Sequence, residues 1–591
     1  MTNLINLYTS AILLIVCFST AAFAELKVES VMYNDPKFEF PKDILETPNH
    51  VLPLWLEALE QSEFELKRRV IEAFAEAHAS KMKGLEQTIA PMLRELDAPE
   101  QHPKVQLAIA KTLVAMDQKQ TTELLFRLLD SHGLAMALVV EPALAKWDYQ
   151  PARAMWMQRL VDRPRSNHRM KLAIRGLAEV QEQKAHADLI RLATASRESA
   201  IIRLEAADGL GKLGGELLPI ARELASEGSS TLNRMVAARM LASASGSDVE
   251  VFLRQLALDK ETTVGNIAAQ RLLQISPDTV MPIIDRVSVS PDANIRETAA
   301  KTLTARPSPE NVKWLGPFLD DPHPKVRGFV REELFRMATK LDLKDEVLAE
   351  AIAMSRTDRW RGIEQSLLIL TELDHKPSAD RMVALLEFER PEVFMTAAYG
   401  LRRLAVPETL APMLAYATRM TPLLRGSLLD GSIVIQVDHE VSQLFQAFGQ
   451  MKYKPAEALM REYIPKNTGY PRSRRAAVWA LGYLHEGQPQ AALVSQLAGR
   501  ANDQSTFNPE DTQVRRMAVV SLARMKAVNV VPTLRSILAS ESPRFTLGYA
   551  CAWGIHKLDG DPLPKLKPKV VRKTQWFLVP FGEETRDKSQ R

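Results

Sequence analysis

The chain has 591 residues, 46% of them hydrophobic and 25% charged, a globular composition that excludes disorder of the whole. Its 76 Lys+Arg against 72 Asp+Glu leave a net charge of +4, so bulk charge does not make it a polybasic nucleic-acid binder. The two cysteines, Cys17 and Cys551, exclude a disulfide scaffold, an all-cysteine zinc site and a haem-attachment motif, and 6% aromatics with 25 Gly argue against a sandwich or propeller.

Residues 1–24 carry no Asp, Glu, Lys or Arg. The apolar stretch from Ala11 to Phe18 leads to Ala22-Phe23-Ala24, with small residues at both positions a signal peptidase reads. We therefore expect an export signal cleaved before Glu25. The stretch is shorter than the ~20 apolar residues a spanning helix needs, and no other stretch is apolar enough to cross a membrane. Residues 25–49 are polar and contain proline; they are expected to cap the N-terminal end of the folded region or to remain disordered.

From residue 50 to 558 the chain repeats itself. In the clearest unit, Ile202 to Leu213, small residues stand four, five and seven places after Ile202, and Leu210 and Leu213 stand eight and eleven places after it. That spacing is one stripe of an α-helix, and its small residues let a neighbouring helix approach. The same ruler, set on fifteen starting residues from Leu66 to Phe545, puts Phe74, Leu113, Leu144, Leu177, Leu210, Leu241, Leu272, Leu303, Leu334, Leu368, Leu401, Phe448, Leu481, Leu522 and Trp553 at its eighth place. Eleven of the fourteen steps between successive rulers are 31 to 34 residues long.

An earlier helix in each step is announced by proline in an apolar run, as at Pro91, Pro219, Pro282, Pro412 and Pro532. Proline is tolerated in a first turn, where its missing N–H has no intrahelical partner. Breakers such as Ser290-Pro291-Asp292 and Ser542-Pro543 separate the two helices. A pair of amphipathic helices cannot bury its apolar face alone, so about fifteen pairs stacked on one another predict an all-α fold, an α-solenoid. Ile202 to Gly214, Ser473 to Leu484 and Val514 to Ala518 resemble the second helix of HEAT repeats, and the short period resembles the HEAT-like repeats of phycobilisome lyases. The resemblance implies a right-handed superhelix and a structural role, tying adjacent turns, for Arg203, Arg234, Arg296, Arg327, Arg361, Arg474 and Arg515.

Departures from the period fall at about 418–438 and 499–513. The first, with two glycines and the alternation Ile433-Val434-Ile435-Gln436-Val437, predicts a protruding loop or hairpin; the second, rich in Asn, Asp and Ser, predicts an exposed loop. On the second helices, the sixth and tenth places of the ruler lie opposite the core stripe. They read Arg175/Glu179, Asp208/Lys212, Arg239/Ser243, Gln270/Gln274 and Glu332/Arg336 at first, mixed in sign. Further on they become Tyr399/Arg403, Gln446/Gln450 and Trp479/Tyr483, with Arg524 beyond. Trp, Tyr and Arg are the residues enriched in binding hot spots, so Tyr399, Arg403, Trp479, Tyr483 and Arg524 form the candidate partner-binding patch. The alternative is that these rings pack beneath the two inserted loops.

The end of the chain, 559–591, is basic from Lys565 to Lys573 and then apolar from Trp576 to Phe581, which predicts a cap on the last repeat. No GxSxG, HExxH, P-loop, GxGxxG or EF-hand motif occurs. His439-Glu440 and His485-Glu486 resemble the His-Glu pairs with which deoxyhypusine hydroxylase, a HEAT-like enzyme, binds two irons; only His439 begins a second helix, and the other repeats lack the pair. Cys551 falls at an outward position of the last repeat, without a placed base. These readings lead us to expect a non-catalytic scaffold for a protein partner, periplasmic or secreted. No cofactor, metal or catalytic residue, no nucleic acid and no stable membrane insertion is expected. The alternative is a HEAT-like enzyme of the bilin lyase or metal-dependent hydroxylase type.

Overall fold

The computed structural model describes residues 29–46, 51–98, 101–129, 133–164, 166–426, 431, 433–466, 471–505 and 507–572. The export signal with its cleavage site, most of the tip of the first insertion and the apolar run from Trp576 to Phe581 lie outside the described residues.

Every one of the fifteen rulers coincides with a helix. These second helices are α1 (Phe64–Ala79), α2 (Pro103–Ala115), α3 (Gly133–Lys146), α4 (Asn167–Glu179), α5 (Ala200–Leu213), α6 (Thr231–Met240), α7 (Thr262–Ile275), α8 (Ala293–Thr304), α9 (Pro324–Lys340), α10 (Trp360–Glu372), α11 (Pro391–Leu404), α12 (Ile433–Gln450), α13 (Pro471–Leu484), α14 (Thr512–Arg524) and α15 (Thr546–Asp559). Each is preceded by a first helix, shorter or broken except before α4, as Ile89–Asp97 precedes α2 and Val531–Ser540 precedes α15. The chain divides into two compact units, one of residues 42–302 and 568–591, the other of residues 1–41 and 303–567. From α1 to α7 and from α9 to α15, successive second helices pack against one another, and each of these packs on the first helix of its own pair. The fold is an all-α solenoid of helix pairs. One short addition is a parallel strand pair in the first of these units, Ile44–Glu46 beside Val570–Arg572.

The eighth place of the ruler is buried in fourteen of the fifteen repeats, the most exposed of them being Leu368 at 4%. Trp553 is half-buried, because the described residues place no helix pair beyond α15 to cover it. Close approach explains the small residues on the stripe. A Cβ on Gly209, seven places after Ile202, would stand 3.0 Å from Ile174 Cγ2 of α4 and 3.2 Å from Leu189 Cδ1 of the first helix, tighter than ordinary van der Waals contact.

The arginine next to the ruler's origin closes the pair onto its first helix at three repeats. Arg203 donates to the Ala193 carbonyl at 2.9 Å, Arg515 to the Ala501 carbonyl at 3.0 Å and Arg474 to the Tyr463 carbonyl at 3.3 Å. These acceptors lie at or just past the end of the preceding first helix, where backbone carbonyls have no intrahelical donor. By contrast, Arg234 pairs with Asp259, Arg296 and Arg327 donate to carbonyls of the turn between the helices, and Arg361 lies over the Trp360 ring.

Both insertions differ from expectation. The first lengthens the helices on either side, Leu410–Arg425 and α12, and no hairpin forms among the described residues. The alternation from Ile433 to Val437 also contains a helical stripe: Val434, Val437 and Val441 are spaced three and four apart and all are buried. The second is a loop whose acidic end is structural. Glu510 accepts from both Arg474 Nη1 and Nη2 at 2.8 Å, and Asp511 caps α14 by accepting from Gln513 and Val514. Cys551 is fully buried and not outward-facing, and burial pushes its thiol up to about 12.

Candidate partner-binding face

Residues 29–41 neither cap the N-terminal repeats nor stand apart. They run across the second helices α11 to α15 in chain order, within the unit that contains both. Val31–Asn34 makes one 3-10 turn and the rest is irregular. Between described residues, each hydrogen bond that joins this segment to the repeats uses a repeat side chain.

The face is built from long polar side chains held by one another. Arg402 on α11 donates through Nε to Gln443 Oε1 at 2.7 Å and through Nη2 to the Glu29 carbonyl at 2.8 Å. Burial pulls its guanidinium down to about 10. Gln443 on α12 also donates to the Glu29 carbonyl, at 3.1 Å. One helical turn on, Gln446 accepts from the Met32 backbone N–H at 3.2 Å and donates to the Ser442 carbonyl at 3.1 Å. Gln443 and Gln446 are fully buried polar residues in mid-helix, and Met32 is the fully buried side chain of the segment.

The next two helices read Tyr33 and Asp35. Arg475 on α13 is clamped by the Asp511 carboxylate at 2.7 and 2.6 Å and donates to the Tyr33 hydroxyl at 2.9 Å. Burial works to lower the Arg475 pKa, but these bonds outweigh it and hold the guanidinium above its usual range. Arg516 on α14 donates to the Tyr33 carbonyl at 2.9 Å. Asp35 receives Trp479 Nε1 at 2.8 Å and the Tyr483 hydroxyl at 2.7 Å on one oxygen, and pairs with Arg524 through the other. The Arg524 guanidinium lies 3.8 Å from the Tyr483 ring centroid. Burial first, and then the bond to Asp35, push the Tyr483 phenol up. Phe38 and Phe40 end the run edge-on to Tyr549 of α15, at 5.0 and 5.5 Å, with Arg516 5.0 Å from the Phe38 ring.

Of the five residues chosen from the sequence, Trp479, Tyr483 and Arg524 converge on Asp35. Tyr399 and Arg403 do not join them; both bond Glu372 of α10, at 2.6 and 3.2 Å. Among the described residues, the cover bonded to the Trp479 and Tyr483 side chains is the chain's own N-terminal segment, and Trp479 is only 1% exposed. Sequence reasoning missed Arg402, Gln443, Arg475, Arg516 and Tyr549. The doublets Arg402-Arg403, Arg474-Arg475 and Arg515-Arg516 were a usable signal: where one arginine closes the helix pair, its neighbour is turned about 100° towards the face.

His439 on α12 lies against Gln443, and burial holds its imidazole down to about 4. Its neighbour Glu440 is fully buried and accepts from the Tyr416 hydroxyl at 2.8 Å. His485 lies at the end of α13, 3.0 Å from Glu457. Among the described residues, no three His, Cys, Asp or Glu side chains come together as metal ligands do. The corresponding face of α4 to α6 carries ion pairs between neighbouring repeats: Arg175 with Glu205, Lys212 with Glu179 and Arg239 with Asp208. A cleft of about 610 Å³ there is lined by Arg175, Glu179, Glu205, Asp208 and Lys212 together with Pro142, Leu172 and Ile174. Among the described residues, no helix is long and apolar enough to cross a membrane.

Fold and site together define an all-α solenoid of helix pairs that holds an extended segment of its own chain on its second helices. No protein-family model matches the chain, and no curated protein matches it. Solved structures that resemble it include importin beta in a polyethylene glycol condition, 12% identical over 86% of this chain and 82% of that one, with a TM-score of 0.43. Yeast importin-beta (Kap95p) is 11% identical over 87% of this chain and 73% of that one, with a TM-score of 0.42. Kap121p bound to RanGTP is 13% identical over 86% of this chain and 56% of that one, with a TM-score of 0.45. The assignment of the fold rests on this chain's own helix pairs.

Proposed function

We propose that the chain is a non-catalytic scaffold that binds a protein partner outside the cytoplasm, through the face of α11 to α15. The observation that carries this reading is the way the face already holds residues 29–41. Arg402, Gln443 and Arg516 hold backbone carbonyls, Gln446 holds a backbone N–H, and Trp479, Tyr483 and Arg524 hold one carboxylate. Backbone groups read by side chains, with a few pockets for side chains, are what recognition of an extended polypeptide requires. Location outside the cytoplasm is supported by the uncharged apolar stretch that ends in Ala22-Phe23-Ala24.

The test is affinity capture of the tagged protein from the exported fraction of its own cells, with Arg524→Ala and Tyr483→Phe variants beside wild type. These substitutions remove contacts to Asp35 without emptying the Trp479 site. One dominant protein that is retained by wild type and lost in the variants supports the reading. Equal capture by all three moves the interface elsewhere, and capture of nothing refutes the scaffold.

A further inference from the structure

We infer that residues 29–40 occupy the place of a partner's segment, and that the partner binds by displacing them with an extended acidic segment of its own. This rests on the proposed function of the same face, and it adds the chemistry of the ligand and the means of its regulation.

Three observations point to an exchangeable occupant. The segment is held from one side only. Glu29, Asn34, Lys37, Glu39 and Phe40 are exposed, while Met32 alone is fully buried. Its only described internal backbone bonds belong to one 3-10 turn, Tyr33 to Ser30 at 3.3 Å and Asp35 to Met32 at 3.4 Å. Few buried apolar contacts and little backbone bonding are the marks of a segment that opens locally without global unfolding. Last, the occupant leaves the face incompletely satisfied: Arg516 Nε and Arg524 Nη1 are buried with no acceptor among the described residues. A buried guanidinium N–H without an acceptor is costly, so a ligand that supplies one gains over the segment that does not.

The ligand's chemistry is set by what each subsite takes. An unbranched apolar side chain enters the Met32 site beneath Gln446. Three residues later a carboxylate reaches Trp479, Tyr483 and Arg524. A second acidic or carbonyl oxygen beside it meets Arg516 Nε and Arg524 Nη1, and an aromatic ring comes next, against Tyr549. The partner is a protein with an extended acidic-aromatic stretch; a second copy of this chain, exchanging its own residues 29–40, is an outcome the experiment separates.

The experiment uses the full chain and a fluorescent synthetic peptide of residues 29–41. Anisotropy is measured on wild type, on a Met32→Ala/Asp35→Ala chain whose own segment is weakened, and on that chain with Arg524→Ala added. The peptide should bind the weakened chain at least tenfold tighter than wild type. Asp35→Glu in the peptide should retain binding, whereas Asp35→Ala in the peptide or Arg524→Ala in the chain should cost at least tenfold. Hydrogen exchange of wild type should show residues 32–35 exchanging faster than α13.

Absence of saturable binding to a weakened chain that melts as wild type does would overturn the inference, as would exchange of residues 32–35 only with α13. A wild-type dimer that grows with concentration and is lost in the weakened chain would overturn the heterologous partner in favour of a second copy. Capture by wild type that is lost in Arg524→Ala while the peptide fails to bind leaves the scaffold standing and removes only displacement. Peptide exchange with undiminished capture by Arg524→Ala removes the face as the capture site.

Discussion

The second helices present the same ruler positions in both units, yet the two faces are made differently. On α4 to α6 five of the six sixth and tenth places are charged, Ser243 being the exception, and they pair with neighbouring repeats, as Arg239 does with Asp208 of the repeat before it at 2.7 Å with both side chains about a third or more exposed. On α12 and α13 the sixth place holds Gln446 and Trp479, both buried, and the cover is a segment from the beginning of the chain. A repeat frame therefore leaves the nature of these positions open. Water screens the pairs of one face, so they contribute little. The other face is desolvated, so every donor on it must find an acceptor and each loss is felt.

The comparison breaks most sharply at the arginines. Arg474 and Glu510 are 4% and 1% exposed in their side chains. Removing one partner strands a buried charge, so Arg474→Ala should cost about 3–5 kcal/mol in urea denaturation followed by circular dichroism. Arg239→Ala, at an exposed pair, should stay within about 1 kcal/mol. Equal effects would mean that burial does not separate a pair-closing arginine from an exposed ion pair of the open face. Next comes the cover itself. Met32→Ala should cost about 2–3 kcal/mol, seen by hydrogen exchange as loss of protection at residues 32–35 with α4 to α6 unchanged.

A pH effect of smaller size belongs to one unit only. His439 is held down to about 4 against an ordinary 6.5, so in the fold it stays neutral where the unfolded chain takes up a proton. Its contribution is present in full above pH 6.5 and is lost as pH falls from 6.5 towards 4. The loss between pH 7 and pH 5 should reach about 2 kcal/mol and vanish in His439→Gln. Glu440, whose carboxyl burial pushes well above its usual range, acts in the opposite sense, losing stability as pH rises above the ordinary carboxylate range. The smallest expected effect is at the open face, where Lys212→Ala should change stability by less than about 0.5 kcal/mol, and by less still in high salt.

Much of this was legible locally. The stripe that places Leu210 or Leu481 in the core needs only helical periodicity, and an arginine beside the ruler's origin needs only the orphan carbonyls of the helix before it. Trp479, Tyr483 and Arg524 stood out because aromatic and guanidinium side chains interrupt a polar stripe. Arg475 and Arg516 were missed because they stand two places after the ruler's origin, outside the sixth and tenth places read as the face, and no local pattern says that a distant segment lies over them. The hairpin expected from Ile433 to Val437 failed because β-branched residues two apart also satisfy a buried helical stripe once tertiary packing selects Val434, Val437 and Val441.

The sequence by itself determined the period, the class of fold and the core stripe, since each depends on contacts within a pair of helices or between neighbouring pairs. Only the tertiary structure decided what covers the second-helix face. Met32 and Gln446 are 414 residues apart, and Asp35 and Trp479 are 444 apart. No spacing rule reaches that far: the match is made by a carboxylate and a backbone meeting buried donors, and burial of those donors exists only after the repeats have stacked.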